Sequence, residues 1–371
     1  MTSEADPERA AVAAFYPSTV GGMTLVQEGQ PFELGEAVLI CTLRNEINLL
    51  DTLFDHHKRL GVRSVVLVDN GSTDGSLEHY RKRDDLNITV YGTDQPYNES
   101  AAGIIWVNAL LDHFATVCPS FWALVVDADE LFVYPGYEAI RIGEIIAYSD
   151  GMGFEAVLTP MLEMHADGPV IHPGLELDDL KYFDRSGFRV TGAARFPHVQ
   201  MFGGPRDRLV KKNEFSQKKV AFFKVVRDVR LAMSTHALTG KLQLASFTGA
   251  LLHLKFSPDF ASKVTREREE KLRVRSEHYS IYEKFLESET SFFDPELSEA
   301  YEGSEQLVRH RILLVDGAYL ERFAGELGGE QTEGFKTARH HARGGNDGKQ
   351  FWNVLGNLVM LVSATSSEQR D

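Results

Sequence analysis

Four continuous apolar runs, separated by segments with helical spacing, constrain this chain more than any other feature. AVLICTL (37–43), SVVLVD (64–69), ITVYG (88–92) and FWALVVD (121–127) show almost no polar alternation, so each reads as a strand buried on both faces. Between the first two, NEINLLDTLFDHHKRLG (45–61) places Ile47, Leu50, Phe54 and Leu60 at helical intervals and stops at Gly61. The segment from Gly71 begins in turn residues and continues as a helix, with Thr73 or Asp74 as N-cap. AAGIIWVNALLDHFA (101–115) is the next helix. The order β-α-β-α-β-α-β predicts an α/β fold: a mainly parallel sheet flanked by helices. Ligands of such sheets sit beyond the carboxyl ends of the strands.

Those ends carry polar residues here. TLRNE (Thr42 to Glu46) follows the first run, VDNGSTDGS (Val68 to Ser76) ends the second, and VDADE (Val126 to Glu130) ends the fourth. Turn and capping chemistry accounts for Asn70-Gly71 and Thr73-Asp74. It does not account for Asp127 and Asp129, which repel each other unless a cation or a proton lies between them. A hard divalent cation, Mg²⁺ or Mn²⁺, is the natural partner: one or two carboxylates hold it, and phosphate oxygens and water complete it. The formal charge of −15 argues against nonspecific binding to nucleic acid. A metal would still admit an anionic substrate.

Together, TLRNEINLL, VVLVDNGSTDGS and LVVDADELF resemble the glycosyltransferases of the GT-A fold, family 2, in a bacterial branch that opens RNE. YFDRSGF, FGGPRDRL, STHALTG and GALLHLKF are similar to later blocks of that branch. The resemblance covers residues 36–290. It implies a nucleotide-binding half (36–130) and a half that completes the acceptor and metal sites (131–290). Residues 1–35 are then a loosely ordered lead-in. Residues 291–371 form a helical C-terminal extension, with a polar linker at about 328–350 before the apolar helix FWNVLGNLVMLVSA.

The resemblance further implies a metal-dependent, inverting transfer of a sugar from a nucleotide-sugar donor, UDP-linked, to a saccharide or glycoconjugate acceptor. Thr42, Arg44, Glu46, Asp69 and Asn70 would line the nucleotide, with Asp69 accepting a hydrogen bond from the base. Asp127 would reach the ribose or the metal, and Asp129 would ligate the metal. His253 is the expected third ligand, with His236 as its competitor. Lys255, on the same strand face as His253, would neutralise the diphosphate. Glu130 is expected to be a structural acid.

The acceptor's proton requires a carboxylate base. Glu163 is the first candidate, with Asp184 and Asp167 as alternatives. Arg206, beside two glycines and near Arg208, Lys211 and Lys212, is expected at the donor phosphates. Two other readings stay open: a nucleotidyltransferase that makes the nucleotide sugar, and a catalytically silent nucleotide- or sugar-binding protein. A dehydrogenase is disfavoured, because no G-x-G-x-x-G follows the first strand.

The remaining features are negative ones. Cys41 and Cys118 sit in or beside apolar runs and read as buried free thiols. The N-terminus shows no secretory signal, and no apolar stretch reaches the roughly 20 residues that span a bilayer. A cytoplasmic protein is expected, with the last apolar helix packed on the domain or, as the alternative, in peripheral contact with the inner face of a membrane or with a partner.

Overall fold

The computed structural model describes residues 15–191, 200–210, 216–226, 228–232, 234–240, 242–270, 282, 285–286, 290–328 and 335. The segment expected as an apolar C-terminal helix, Lys211, Lys212 and the linker apart from Gly328 and Phe335 lie outside them. The chain divides into two compact units.

The first unit holds Met1–Ala128, Ile142–Tyr148 and Ala221–Lys241. Its strands are β1 (Thr19–Val20), β2 (Met23–Gln27), β3 (Ala37–Leu43), β4 (Ser64–Asp69), β5 (Asn87–Gly92) and β6 (Phe121–Val125). The order β1-β2-β5-β4-β3-β6 puts β3 between β4 and β6, all three parallel. Every residue of β4 and β6 is buried, which explains why these runs lack polar alternation. The helix Ile47–Leu60 buries Leu49, Leu50, Leu53, Phe54 and Leu60, and Gly61 ends it with φ 99°.

Residues 15–32 are not a loose lead-in. β2 pairs antiparallel with β5 as an added strand, and Phe15, Tyr16 and Phe32 make ring contacts around Phe114. That aromatic cluster is non-local, so no short-range pattern announces it. Both cysteines are buried and not joined in a disulfide.

The second unit holds Asp129–Arg141, Ser149–Val220 and Leu242–Asp371. In it the strand Ala250–His253 lies between β7 (Glu130–Val133), antiparallel, and β8 (Ala156–Glu163), parallel. Residues 162–224, rich in glycine, proline and charge, contain strands at Tyr182–Asp184, Arg189–Thr191 and Gln200–Phe202, a short helix at Pro205–Leu209 and the start of the strand Lys218–Val225. The lysines at 218 and 219 hid that last strand, because both are buried. The helix Phe260–Glu270 packs Phe260 and Val264 into a cluster with Phe256, Tyr282, Phe285 and Phe292. Among the described residues no helix is long and apolar enough to cross a membrane.

Candidate functional site

In the first unit the carboxyl ends of β4 and β5 border a cleft of about 580 Å³. Asp69 lies in its wall with Gly71 and Ser72, opposite Thr93, Asp94 and Gln95, and β2 contributes Thr24 and Val26. Asp69 ends β4 in register with Leu43 of β3 and Gly92 of β5. Its Oδ1 accepts from the Ser72 amide at 2.7 Å, and its Oδ2 from the Tyr80 hydroxyl at 3.3 Å. Burial, with the Asp69 charge beside it, pushes the Tyr80 hydroxyl far above its ordinary range, so it stays a donor. These two bonds aim the carboxylate and leave lone pairs for a ligand.

The neighbouring turns are pinned by side chains. Asn70 donates through Nδ2 to the carbonyls of Thr93 at 3.1 Å and Gln95 at 2.9 Å, so its amide group holds the cleft's two loops together. Asn45, at φ 56°, accepts from the Thr73 amide at 2.6 Å. Asp74 accepts from the Ile47 amide at 3.0 Å and caps the preceding helix from across the turn. It also accepts from the Ser76 amide at 3.0 Å, a local turn bond. Burial opposes ionisation of Asp74, but the Ser76 and Ile47 hydrogen bonds outweigh it and lower its pKa.

Thr42, Arg44 and Glu46 are half-buried around the carboxyl end of β3, and Asp127 is half-buried past β6. Thr42 Oγ1 is buried with no hydrogen-bond partner among the described residues. These residues lie at or just past the ends of β3 and β6, the strands at which the order changes direction after β5-β4-β3, a topological switch point.

In the second unit Asp129 lies 3.4 Å from Nε2 of His253 and 3.9 Å from Nζ of Lys255, with its side chain 17% exposed. The Leu254 amide donates to the Asp129 carbonyl at 2.7 Å, locking the two segments together. Burial opposes the Asp129 charge. His253, then Lys255 and Lys263, outweigh it and hold the carboxyl well below its usual range.

Nδ1 of His253 is buried and has no hydrogen-bond partner among the described residues. A carboxylate and an imidazole Nε2 that face each other across 3.4 Å fit a divalent cation such as Mn²⁺. Asp129 and His253 would hold it. Among the described residues no group of three or more His, Cys, Asp or Glu forms a fuller cage, so phosphate oxygens and water would supply the other positions.

The remaining expected site residues are spent on one another. Glu163 ends β8 with its side chain 0% exposed. It is ion-paired to Arg206 Nε, and accepts from the Arg206 amide at 3.2 Å and from Gln217 Nε2 at 3.0 Å. Arg206, expected at donor phosphates, is buried against Glu163 and donates to the Tyr282 hydroxyl at 2.7 Å. Burial opposes the Arg206 charge, but Glu163 and Tyr282 raise its pKa further above the ordinary arginine value.

Asp184 is buried and accepts two hydrogen bonds from Arg208, at 2.8 and 3.1 Å. Glu130 pairs with Lys219 at 2.6 Å, both side chains at 0% exposure, a structural position. Asp167 is exposed, and His236 lies half-buried in the strand Ser234–Thr239 of the first unit. Lys263 escaped the sequence reading because its helix looks like an ordinary charged surface helix; the only signal was Asp259 four residues earlier.

No family model matches the chain, and no curated protein matches it. Solved structures do. S. aureus TarS (residues 1–349) is 19% identical over 39% of this chain and 42% of that one, with a TM-score of 0.27. The mannosyltransferase PcManGT from Pyrobaculum calidifontis, in complex with GDP-Man and Mn²⁺, is 19% identical over 41% of each chain, with a TM-score of 0.25. The chain therefore spans about two-fifths of either protein's length. Superpositions this partial bear on no residue's role.

Proposed function

We propose that the chain is a metal-dependent glycosyltransferase that moves a sugar from a nucleotide-sugar donor to an acceptor hydroxyl. The observation that carries this reading is Asp129. It is a partly exposed carboxylate held ionised, with Nε2 of His253 3.4 Å away. The Asp69 cleft supports it with a place for a base at the carboxyl ends of parallel strands. Uridine is the base proposed from the family resemblance, and Mn²⁺ or Mg²⁺ the metal.

In the reaction, the acceptor oxygen bonds to the anomeric carbon while the bond from that carbon to the diphosphate oxygen breaks. The electron pair leaves on the diphosphate, and a carboxylate takes the acceptor's proton, with inversion at carbon. A bound cation would supply positive charge for the departing diphosphate. Asp129 and His253 would hold that cation, and Lys255 would add charge beside it. Glu163 and Asp184 each give their lone pairs to an arginine. Either would have to exchange that partner for the acceptor hydroxyl before serving as base. The same pairing favours a second reading, nucleotide-sugar binding without transfer.

A donor screen tests the proposal. The protein is incubated with Mn²⁺ and UDP-, GDP- and dTDP-sugars, and release of nucleoside diphosphate by slow hydrolysis is followed. Release from donors of one base is expected. Nucleoside diphosphate binding without release from any donor would favour the silent reading. Absence of both would refute the two together.

A further inference from the structure

We propose that Gln95, oriented by Trp106, is a specificity-determining residue of the Asp69 cleft and selects a base with a ring N–H beside a carbonyl. Uracil, thymine and guanine carry that edge; cytosine and adenine do not. The inference rests on the proposed function and adds to it which bases the donor can carry. Gln95 lines the cleft across from Asp69. Its Oε1 accepts from Nε1 of Trp106 at 2.9 Å, and Trp106, on the helix Ile104–Val117, is fully buried. An indole N–H only donates. Turning the amide over would set Nε2 against that N–H and strand a buried donor. Nε2 therefore points away from Trp106, and among the described residues nothing accepts from it. The backbone is fixed as well. The Gln95 carbonyl accepts from Asn70 Nδ2 at 2.9 Å, and its amide donates to Thr93 Oγ1 at 3.2 Å. The Thr93 amide donates to the Asp69 carbonyl at 3.0 Å, and Asn70 follows Asp69 directly, so one frame holds Asp69 and Gln95.

Hydrogen-bond polarity makes the argument. The hydroxyls of Thr24, Ser72 and Thr93 also line the cleft, and a hydroxyl donates or accepts as its ligand requires. Only three side chains there have a fixed sign: the carboxylates of Asp69 and Asp94 accept, and Nε2 of Gln95 donates. Asp94 is exposed, whereas Asp69 is buried and Gln95 half-buried. A base that gives a ring N–H to Asp69 and a neighbouring carbonyl to Gln95 satisfies both. Cytosine and adenine present a bare ring nitrogen beside an amino group. Their lone pair would face the carboxylate and their N–H the amide donor, so both contacts would be reversed.

Calorimetry in Mn²⁺ with UDP, GDP, CDP and ADP tests this, with Gln95→Leu and Trp106→Phe beside the parent protein. The parent is expected to bind UDP, GDP or both at least about tenfold more tightly than CDP and ADP, the scale of a mispaired polar contact. The two arms show which of the two bases is taken. Gln95→Leu should reduce that preference by about fivefold, the part that Asp69 does not supply. Trp106→Phe leaves the amide unanchored and should reduce the preference in the same direction. A merely structural residue would weaken all four nucleotides alike. An unchanged preference in either variant would therefore overturn the proposal. So would a parent that binds all four within about twofold, or that favours CDP or ADP; either result leaves the glycosyltransferase proposal standing. If the parent binds none of the four, the proposed function fails first and the base selection with it.

Discussion

Glu163→Gln separates a catalytic carboxylate from a structural one. Glu163 receives the Arg206 side chain, the Arg206 amide and the Gln217 amide group, all in a fully buried place. Glutamine matches the shape but turns one acceptor into a donor facing a guanidinium. Arg206 would stay charged and buried, still donating to Tyr282 but without its carboxylate. Removing one member of a buried pair costs about 3–5 kcal/mol, because the other is left uncompensated. For a chain of this size, with about 2.1 cal/mol/K of unfolding entropy per residue, that is a fall in Tm of roughly 5 °C. Thermal unfolding of Glu163→Gln should show it. Glu163→Gln with Arg206→Met should recover much of the loss, since the stranded charge is gone. A base would behave differently: turnover would fall by about 10²-fold or more with the Tm intact. A Glu163→Gln protein that melts within about 1 °C of the parent and loses turnover on that scale would refute the structural argument.

Three further outcomes follow from the geometry. Asp184 is buried, but His165 and Arg208 outweigh that burial and lower its pKa. Its contribution is therefore complete above the ordinary carboxyl pKa and lost as pH falls from about 4 through the lowered value. Asp184→Asn should destabilise the protein at neutral pH and flatten the acid limb of the Tm-versus-pH curve; an unchanged limb would count against the pairing. Asp69→Ala should weaken nucleoside diphosphate binding by about 1–3 kcal/mol in calorimetry, with equal affinity ruling out the cleft as the base site. Asp129→Ala should remove the difference between UDP affinity in Mn²⁺ and in EDTA while the protein stays folded; a parent protein that shows no such difference would end the metal proposal.

The parallel heart of the first unit was legible because its strands are buried on both faces, so sequence alone gave β3, β4, β5 and β6 within a residue or two. The cleft at Asp69 followed from strand order and needed no side-chain information. What stayed hidden was non-local. β1 and β2 are short, and β2 becomes a strand by pairing with β5 more than 60 residues on. Lys218–Val225 begins with two lysines, which on a single-sequence reading signal solvent. Only the chain's folding brings Lys219 to Glu130 and makes that charge a core residue. The pairings of Glu163 with Arg206 and of Asp184 with Arg208 span 43 and 24 residues, beyond any local pattern.

The partners sort carboxylates that the sequence leaves alike. Glu130, Glu163 and Asp184 each have almost no side-chain exposure, and each is held at close range by a basic side chain: Lys219, Arg206 and Arg208. Such pairs are closed, and a ligand would have to break them before it could bind. Asp129 differs in three ways. It keeps 17% of its side-chain exposure, its neighbours are an imidazole and lysines, and the distances of 3.4 and 3.9 Å are loose for committed hydrogen bonds. Loose contacts to mobile cations can be exchanged for a metal and a phosphate at little cost, because the lysines can follow the incoming charge. Tight arginine forks cannot do this without stranding a buried guanidinium. On this criterion we propose Asp129, among the described acids of the second unit, as the one that receives a ligand, with Glu163 and Asp184 holding the framework together.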